Sequence, residues 1–339
     1  MQPVAVVNTG ATLACGLSAP AACAAISGGI DNFQESRFID STGEWIVGSQ
    51  VPLEEDGNSI DRLACALQLA IEEALSIDDS LQLDQIPCLL GFAEQERAGY
   101  DPAQNDAILD AFLTKSGVEL HPLSRTMPYG RVFASVAFFR ARELLYEHDV
   151  HAVVIAAADS LLSAGVLNVL DNNGRLLTQE NSNGLRPGEG ASALVVCKPV
   201  AGVTGQLLCK GIGFGTESAT IWSTEPFRGD GLTKAVQAAL SDAGAPFDAI
   251  DLRVADVSGE QYYFKEAELV VSRLLRTRKE ILDFWHPAEC VGEIGAAAGL
   301  VCVASILDAQ RNGYAPGSTV LYHGGTDHGP RGALLLSLE

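Results

Sequence analysis

Glu293 is the residue of this sequence that most needs a chemical explanation. It lies in VGEIGAAAGL, residues 291 to 300, where every other residue is apolar or glycine. Small residues let backbones or a ligand come close, and a lone buried carboxylate costs several kcal/mol unless it is paired, hydrogen-bonded or protonated. The segment therefore predicts the start of a closely packed helix with one acid that must find a partner.

Other stretches carry residue types that could do chemistry. HGGTDHG places His323, Asp327 and His328 in one glycine-rich loop, and imidazole and carboxylate groups are suitable metal ligands. The loop offers no clear further ligand, so we predict solvated side chains and no metal or other cofactor. Ser135 in FASVAFF is interpreted as a small residue packed against a sheet, and His286 in DFWHPAE as a residue that caps or packs at a helix entrance.

The elements that must position these residues occur twice along the chain. Each half has a strand that runs into glycines (VAVVNTG; GQLLCKGIGFG), an alanine-rich helix (APAACAAISGG; LTKAVQAALSDAG), a further strand (IPCLLGF; DLRVADVSG), a buried strand (HAVVIAAAD; TVLYHGG) and a closing strand (ASALVVCKP; GALLLSLE). Apolar strands that alternate with helices predict an α/β fold with buried sheets. We expect the boundary at KPVAGVTG, residues 198 to 205, giving halves 1–200 and 201–339.

Charge argues against several classes of partner. The chain has 22 Lys and Arg against 43 Asp and Glu, a formal net charge of -21. Nucleic acids and acidic membrane surfaces need basic patches, so neither is expected as a partner, and an acyl carrier protein is doubtful for the same reason. The basic cluster Arg273, Arg276, Arg278 and Lys279 is interpreted as the solvated end of a helix, not as a docking site.

Cysteine usage and hydropathy favour a cytoplasmic protein. The eight cysteines are scattered without C-x-x-C spacing, which predicts reduced thiols and neither a disulfide scaffold nor a zinc site. The longest apolar runs are interrupted within a dozen residues, and the N-terminus MQPVAVVNTG lacks the basic region of a signal peptide. We therefore expect no membrane span.

A glycine-rich segment carries a resemblance to a known family. NGLRPGEGASALVV, residues 183 to 196, resembles the turn and strand of the β-ketoacyl synthases, condensing enzymes of the thiolase fold. Pro187, Gly188 and Gly190 would form a tight turn close to the active-site floor, and Glu189 is expected to bond backbone amides there. VVNTGATLACGLSAPAACAAISGGIDNF, GFGTES, VGEIGAAAGLVCVASILDA and YHGGTDHG resemble other family segments in the same order, over nearly the whole chain.

The resemblance implies a fold. Two βαβαβ halves would form a five-layered α-β-α-β-α sandwich, with central helices that start near Val132 and Gly292. The chain is short for the family, and the missing length falls between residues 88 and 125, where a cap over the acyl tunnel would be built.

The resemblance also implies where the catalytic groups would be. The family uses a cysteine at a helix N-terminus and two histidines, or a histidine and an asparagine, that stabilise an enolate. Here Arg131 or Val132 in MPYGRVFAS occupies the cysteine position, Ser258 in ADVSGE the first histidine and Glu293 the second. His323 matches the gating aromatic of the last loop, and Glu266 replaces the family's lysine.

Loss of all three groups predicts loss of condensation chemistry. The first hypothesis is a non-catalytic ketosynthase-like protein that acts as a partner, adaptor or chain-length-factor-like subunit, with a link to a secretion-effector locus left open. The alternative is an enzyme that hydrolyses or decarboxylates an acyl thioester in the altered cleft without a cysteine. A filled cleft favours the first and an open cleft the second. Tyr262 and Tyr263 either fill the emptied acyl pocket or belong to the ordinary core.

Two structural expectations complete the sequence analysis. We expect an ion pair between Arg131 and Glu293 at the place where the family's nucleophile and imidazole would meet, because a guanidinium can hold a carboxylate with two hydrogen bonds. If Arg131 points to solvent instead, Glu293 must bond to Ser258, a backbone amide or water. Thiolase-fold proteins pair through a first-half edge strand, for which IPCLLGF is the candidate, giving a homodimer or a heterodimer with another protein.

Overall fold

The computed structural model describes residues 2–53, 58–78, 80–148, 150–203 and 205–339. The strands of these residues are β1 (Val4–Leu13), β2 (Gln34–Ile39), β3 (Trp45–Gly48), β4 (Cys88–Gly91), β5 (Arg125–Met127), β6 (Ala152–Ser160), β7 (Glu189–Cys197), β8 (Leu207–Thr216), β9 (Leu252–Ala255), β10 (Asp283–Trp285), β11 (Thr319–Gly325) and β12 (Pro330–Leu338). The helices are α1 (Ala19–Ser27), α2 (Ser59–Leu75), α3 (Ala103–Ser116), α4 (Phe133–Glu147), α5 (Ala164–Asn172), α6 (Asp230–Ala243), α7 (Gln261–Leu274), α8 (Ala288–Val291) and α9 (Ala298–Arg311). Short 3-10 turns at Gly130–Val132 and Gly295–Ala297 precede α4 and α9.

The main sheet repeats one five-strand pattern twice. Its order over the described residues is β10-β9-β11-β12-β8-β1-β7-β6-β4-β5. In the first half β1, β7 and β6 are antiparallel neighbours, and β6, β4 and β5 are parallel ones. In the second half β8, β12 and β11 are antiparallel, and β11, β9 and β10 are parallel. The predicted duplication is therefore present, as two equivalent series that meet at β1 and β8.

Helices separate the two series into layers. β1 and β8 pair over only three residue pairs, from Val4↔Cys209 to Val6↔Leu207, so the two series can diverge beyond that point. α2 packs on β1, β6 and β7, and α6 packs on β8 and β12. Between the series lie α4, which contacts β6 and β8, and α9, which contacts β7 and β11. The order is α-β-α-β-α, as predicted for the thiolase-like fold.

Small residues let the two central helices pack closely. A Cβ atom on Gly299 of α9 would lie 2.6 Å from the Cβ of Ala134 in α4 and 2.4 Å from the hydroxyl oxygen of Tyr322 in β11. A larger residue at position 299 would push α4 and α9 apart. The small residues around Glu293 therefore serve close helix packing, which brings the N-termini of the two helices towards each other.

The prediction that IPCLLGF forms the sheet edge is wrong. The central part of that segment is β4, which pairs with β6 on one side and β5 on the other. Both neighbours are parallel to it, and all four residues of β4 are buried, as expected for an apolar interior strand. The edge of the first half is the three-residue β5, which follows α3.

Three smaller features complete the fold. β2 and β3 form a separate two-stranded hairpin that the sequence analysis did not predict. The predicted boundary at residues 198–205 falls between β7 and β8, and Thr204 within it lies outside the described residues. Among the described residues, no helix is both long and apolar enough to cross a bilayer.

Candidate functional site

The candidate site lies where the N-termini of the two central helices meet. The 3-10 turn Gly130–Val132 before α4 contacts the 3-10 turn Gly295–Ala297 before α9. Loops that follow the carboxyl ends of parallel strands surround this point, which is where α/β sheets place their ligand sites. The positive ends of both helix dipoles face it, so the site favours negative charge.

Arg131 occupies the helix N-terminus where the family resemblance places a nucleophile. Its side chain is only 6% exposed, and its Nε donates a hydrogen bond of 2.9 Å to Asp256 Oδ2. Glu293 Oε2 lies 3.5 Å from the same nitrogen, and Asp327 Oδ1 lies 3.9 Å from Nη1. The ring of Tyr263 lies 4.2 Å from the guanidinium carbon, at cation–π distance.

These contacts explain how a cation can be stable at a helix N-terminus, where the helix dipole is unfavourable for positive charge. Burial opposes the charged guanidinium, but Asp256 and then Glu293 outweigh it and hold the pKa of Arg131 well above its usual value. The carboxylates also compensate for the unfavourable dipole of α4. Arg131, and not Val132, faces the site; Val132 is a buried part of the hydrophobic core. Asp256, directly after β9, is a site residue that the sequence analysis missed.

Glu293 is satisfied on both of its oxygens. Oε2 accepts a hydrogen bond of 2.8 Å from the hydroxyl of Ser258, and Oε1 accepts one of 3.0 Å from the backbone N–H of Gly295. The ion pair expected with Arg131 is present at 3.5 Å, although Arg131 lies closer to Asp256. Burial, opposed by Arg131 and reinforced by Asp256, raises the pKa of Glu293 to about 7. Glu293 therefore exchanges its proton near neutral pH.

A second ion-pair group supports the N-terminus of α9. Arg97 Nη1 and Nη2 lie 2.7 and 2.6 Å from the two oxygens of Asp159, and Nη2 also lies 2.8 Å from Glu94. Asp159 in turn accepts a hydrogen bond of 2.8 Å from the N–H of Ala296. A Cβ on Gly295 would lie 1.9 Å from Asp159 Oδ2, so this position requires glycine, which also has φ +56.

A third group closes the site on the side of α7. Arg175 donates hydrogen bonds of 2.7 Å to both oxygens of Glu260 and also bonds to Asp327. The hydroxyl of Tyr263 donates to Asp327 as well. Burial alone would raise the pKa of Asp327, but Arg175 lowers it to about 2, so this carboxylate stays charged. Tyr263 therefore fills the site and also anchors it.

The loop residues do not assemble a metal site. His323 is buried, its ring stacks on Phe284 with centroids 6.0 Å apart, and burial lowers its pKa to about 3, so it is neutral. Asp327 is held by Arg175, and His328 is exposed. In the part of the chain that the structure describes, no three His, Cys, Asp or Glu side chains form a group that could hold a metal ion.

The position of the family's lysine is part of another ion pair. Glu266 is buried and lies 2.8 Å from the Nε of Arg331, which is itself almost completely buried. Arg331 also donates to Tyr262, at 3.1 Å. The sequence analysis identified Glu266 and Tyr262 but not the arginine that joins them.

The glycine turn runs beside Glu293 as expected from its sequence. The N–H of Gly188 donates 2.9 Å to the carbonyl of Glu293, and Pro187 forms a β-bridge with the same residue. A Cβ on Gly188 would lie 2.5 Å from the Val291 carbonyl, and one on Gly190 would lie 2.6 Å from Leu13. The turn therefore allows backbones to touch under the site.

Glu189, on the same turn, has a stronger partner than the backbone. It accepts a hydrogen bond of 3.2 Å from the N–H of Val51, as expected, and another of 3.1 Å from the hydroxyl of Ser160. Its closest contact is the Nε of Arg62, at 2.5 Å. Glu189 thus joins the turn to α2 through a buried ion pair.

No nucleophile is activated in the described site. Ser135 is fully buried on α4, and its hydroxyl has no hydrogen-bond partner among the described residues, hence no base beside it. Cys302 of α9 is buried, and burial together with Asp256 and Glu293 raises its pKa well above the usual value. A thiol in that state is not a nucleophile. His286 packs edge-on against Phe264, as a structural residue.

The remaining space in the site is small. The cavity has a volume of about 40 Å³. Its polar wall is made of Arg97, Arg131, Arg175, Glu94, Glu293 and Asp327, and its other wall includes Leu161, Val166, Leu185 and Trp222. A single water molecule needs at least about 10–15 Å³ of cavity volume. The cavity therefore has room for a few water molecules but not for an acyl thioester.

Comparisons with known proteins identify the fold. No protein-family model matches the sequence, and no curated protein matches it. The ishigamide ketosynthase/chain length factor has a similar structure, with a TM-score of 0.79, 16% identity and coverage of 100% of this chain and 99% of that chain. A ketosynthase (ApeO) in complex with its chain length factor (ApeC) from Xenorhabdus doucetiae is also similar. Its TM-score is 0.73 with 14% identity, and the match covers 100% of this chain and 98% of that chain.

A third solved structure is similar over the same extent. AntDE:AntF, a type II PKS acyl-carrier protein in complex with its ketosynthase bound to the hexaketide, gives a TM-score of 0.76 with 13% identity, 100% of this chain and 99% of that chain. At identities this low the comparisons establish the fold alone. The chain therefore has the thiolase-like fold of ketosynthases and chain length factors, over its whole length.

Proposed function

We propose that this chain is a non-catalytic ketosynthase-like protein that acts as a partner, adaptor or chain-length-factor-like subunit. The observation that carries the proposal is the position of Arg131, which lies at the N-terminus of α4, where the resemblance places a nucleophile, and is held there by Asp256 and Glu293. Condensation needs a thiolate at that point and hydrogen-bond donors for the enolate. A guanidinium cannot accept an acyl group, and Glu293 presents acceptors to its surroundings.

The filled cleft supports the same proposal. Arginines and carboxylates occupy the space around the two helix N-termini, and a cavity of about 40 Å³ remains. Each charged group is paired, so a substrate would have to displace buried ion pairs, and breaking one such pair costs about 3–5 kcal/mol. Such an arrangement stabilises the protein body, and the activity of the protein would then lie in what its surface contacts.

We propose that the partner surface is the first-half edge of the sheet. One side of β5 pairs with β4, and Arg125 and Thr126 of β5 are exposed. An unpaired edge exposes backbone donors and acceptors, and a second subunit that adds its own edge strand satisfies them. Two of the similar solved structures are a ketosynthase/chain length factor and a ketosynthase in complex with its chain length factor, which supports a dimer with another protein. A homodimer is the default when no partner is present.

Light scattering tests the dimer. Over micromolar concentrations the purified chain should have the mass of a dimer, and a proline introduced by Thr126→Pro should shift it towards the monomer because proline cannot donate to a strand ladder. A monomer mass for the unmodified chain across that range would contradict the homodimer. We also propose a cytoplasmic location, supported by the scattered cysteines, five of which are buried.

The loss of catalysis is tested by mass spectrometry of the intact protein. After incubation with an acyl-CoA the mass should be unchanged, and malonyl thioester should not be decarboxylated. A stoichiometric acyl adduct that maps to any residue of the site would overturn the proposal. An active cysteine-dependent ketosynthase, treated in parallel, shows that the reagents can transfer an acyl group.

One observation favours the alternative, an enzyme that hydrolyses or decarboxylates a thioester without a covalent intermediate. The pKa of Glu293 is raised to about 7, where a general base at neutral pH is effective. Steady thioester turnover without an adduct, abolished by Glu293→Gln and unchanged by Glu289→Gln, would establish this alternative. The small cavity opposes it, because the substrate has no space beside the carboxylate.

A further inference from the structure

A group of basic side chains lies on the outer surface of the second half. Arg228, Lys234 and Lys265 are exposed, and Arg273 is partly exposed. Lys234 is on α6, whereas Lys265 and Arg273 lie two turns apart on the same face of α7. We call these four residues the basic patch. It includes one member of the cluster that the sequence analysis interpreted as a solvated helix end.

The residues of the patch are close in space. Asp230, at the first turn of α6, is bonded to Arg273, and the charges of Arg273, Arg228 and Lys234 all help to lower its pKa. The N-terminus of α6 packs directly against α7 within the patch, because Gly229, next to Asp230, faces Leu269. A Cβ on this glycine would lie 3.3 Å from the Cβ of Leu269. Leu269 stands one turn from each of the two basic residues of α7.

The positive charge of the patch is only partly neutralised, by Asp230. Arg273 is paired with Asp230. In the described part of the chain, no carboxylate lies within ion-pair distance of Arg228, Lys234 or Lys265. By contrast, several other surface cations are paired: Arg140 with Glu143, Arg142 with Asp242 and Lys210 with Glu339.

The basic patch lies on a strongly acidic protein. The net charge of the chain is -21, and its many acidic side chains already favour solubility. Surface charges act over a Debye length of about 8 Å at physiological salt, so the local charge of the patch, and not the net charge of the protein, governs what binds directly to it. The patch therefore attracts a negatively charged group that is compact enough to bind within it.

Aromatic side chains border the patch and narrow the class of ligand. The ammonium of Lys265 lies 5.7 Å from the ring centre of Phe227, and that ring stacks on Tyr262 at 4.2 Å. Interfaces between proteins are rich in aromatic residues and arginine, which provide contact area as well as charge. A mixed basic and aromatic surface suits a protein segment that carries both acidic and apolar side chains.

We propose that the basic patch on α6 and α7 is a docking site for an acidic, partly apolar segment of a partner protein. A planar anionic membrane or a long nucleic acid fits less well, because either would extend beyond the patch over a protein whose net charge is -21 and be repelled. The site is on the outer helix layer of the second half, and the dimer edge β5 is at the far end of the first half. Both surfaces can therefore be occupied at once.

Binding of a defined probe tests the proposal. A short fluorescent peptide of repeated Glu-Glu-Leu units is titrated with the full chain, and its anisotropy is measured from roughly 50 mM to 300 mM salt, where screening increases. The double variant Lys234→Glu, Lys265→Glu should weaken binding about tenfold, because two attractive exposed charges become repulsive. Lys234→Gln with Lys265→Gln should weaken it about threefold.

A matched control separates the patch from the net charge. Arg37→Glu with Lys115→Glu changes the net charge by the same amount at two exposed positions elsewhere, and it should change the affinity less than about twofold. Equal weakening by both double variants, or no effect of either, would overturn the proposal, as would a peptide that does not bind at low salt. Tighter patch-dependent binding of duplex DNA or of phosphatidylserine vesicles than of the peptide would also overturn it.

Discussion

Glu293→Gln tests the electrostatics of the site through the pH dependence of stability. The glutamine keeps the size of the side chain and an oxygen that can accept the hydrogen bonds from Ser258 and from the Gly295 N–H. What it removes is the ionisation, because an amide does not titrate. Any change in the pH profile of the variant therefore reports the ionisation of Glu293.

The direction and the size of the pH effect on stability follow from the raised pKa of Glu293. Glu293 has a pKa of about 7 in the folded protein, raised by burial, against 4.5 in the absence of the fold. The folded state therefore holds the proton more tightly, and stability contributed by the neutral form is lost as pH rises from the lower value through the higher one. Between about pH 5.5 and about pH 8.5 this loss is about 2 kcal/mol, and glutamine does not incur it.

The measurement is the difference in melting temperature between variant and unmodified protein at each pH. About 2 kcal/mol corresponds to about 3 °C for a chain of this size, so the difference should rise by about that much across the range. The difference removes the contribution of His323, whose lowered pKa of about 3 makes stability rise with pH below 6.5 in both proteins.

A control and a refuting result are available. Glu289→Gln alters a carboxylate whose side chain is 60% exposed, and the change in melting-temperature difference across the pH range should be smaller for it than for Glu293→Gln, because exposed charges contribute little to stability. If the Glu293→Gln difference is flat or falls between acidic and basic pH, Glu293 is not a carboxylate with a raised pKa. The account of Glu293 as a buried carboxylate that the fold holds in its protonated form at acidic pH would then be wrong.

Two further substitutions test how the site is held. Arg131→Met removes the cation that holds two buried carboxylates and should lower the free energy of unfolding by about 3–5 kcal/mol, measured by urea denaturation, whereas adding Glu293→Gln to it should recover part of the loss. If the double variant is no more stable than the single one, Arg131 does not stabilise Glu293. Gly295→Ala should cost more than Gly313→Ala, because the added Cβ would lie 1.9 Å from Asp159 at the first position and meets nothing within 4 Å at the second, although both glycines have positive φ. Equal losses would show that only backbone strain acts.

The fold could be predicted from the sequence because it repeats itself. Two series of strands and helices in the same order imply equivalent halves, and alanine-rich helices imply close packing, which Gly299 against Ala134 shows. The edge strand could not be found in this way. An apolar run such as IPCLLGF indicates burial on both faces, which belongs to an interior strand, whereas β5 is three residues long and has no strong pattern.

Site residues could be predicted only at the positions where the resemblance implies a catalytic residue type that this chain does not have. Arg131, Ser258 and Glu293 were found because the resemblance assigns those positions, and the structure brings all three together. Asp256 could have been found from its position in the fold. It follows directly after a parallel strand, at the sheet edge where side chains converge. That rule, applied to every strand end, would also have selected Asp159.

The partners of these acids left no comparable signal. Arg97 and Arg175 come from loops after β4 and α5, and nothing in the sequence relates them to Asp159 or Glu260. The segment that holds Arg97 was interpreted only as a shortened cap over an acyl tunnel. Ion pairs between residues far apart in sequence depend on the final fold, so their pairing cannot be obtained from the spacing of residues.

The charged residues of the site depend on one another. Once a cation stands at the N-terminus of α4, the helix dipole opposes it, and carboxylates such as Asp256 and Glu293 must compensate. Those carboxylates are acceptors and are negative, so they would repel an enolate and raise the pKa of a thiol, as they do for Cys302. A cysteine introduced at position 131 alone would therefore meet an environment that keeps it protonated. Cysteine-dependent acyl transfer therefore cannot be introduced at this site by one substitution, because the acids that stabilise the fold are the groups that prevent a thiolate.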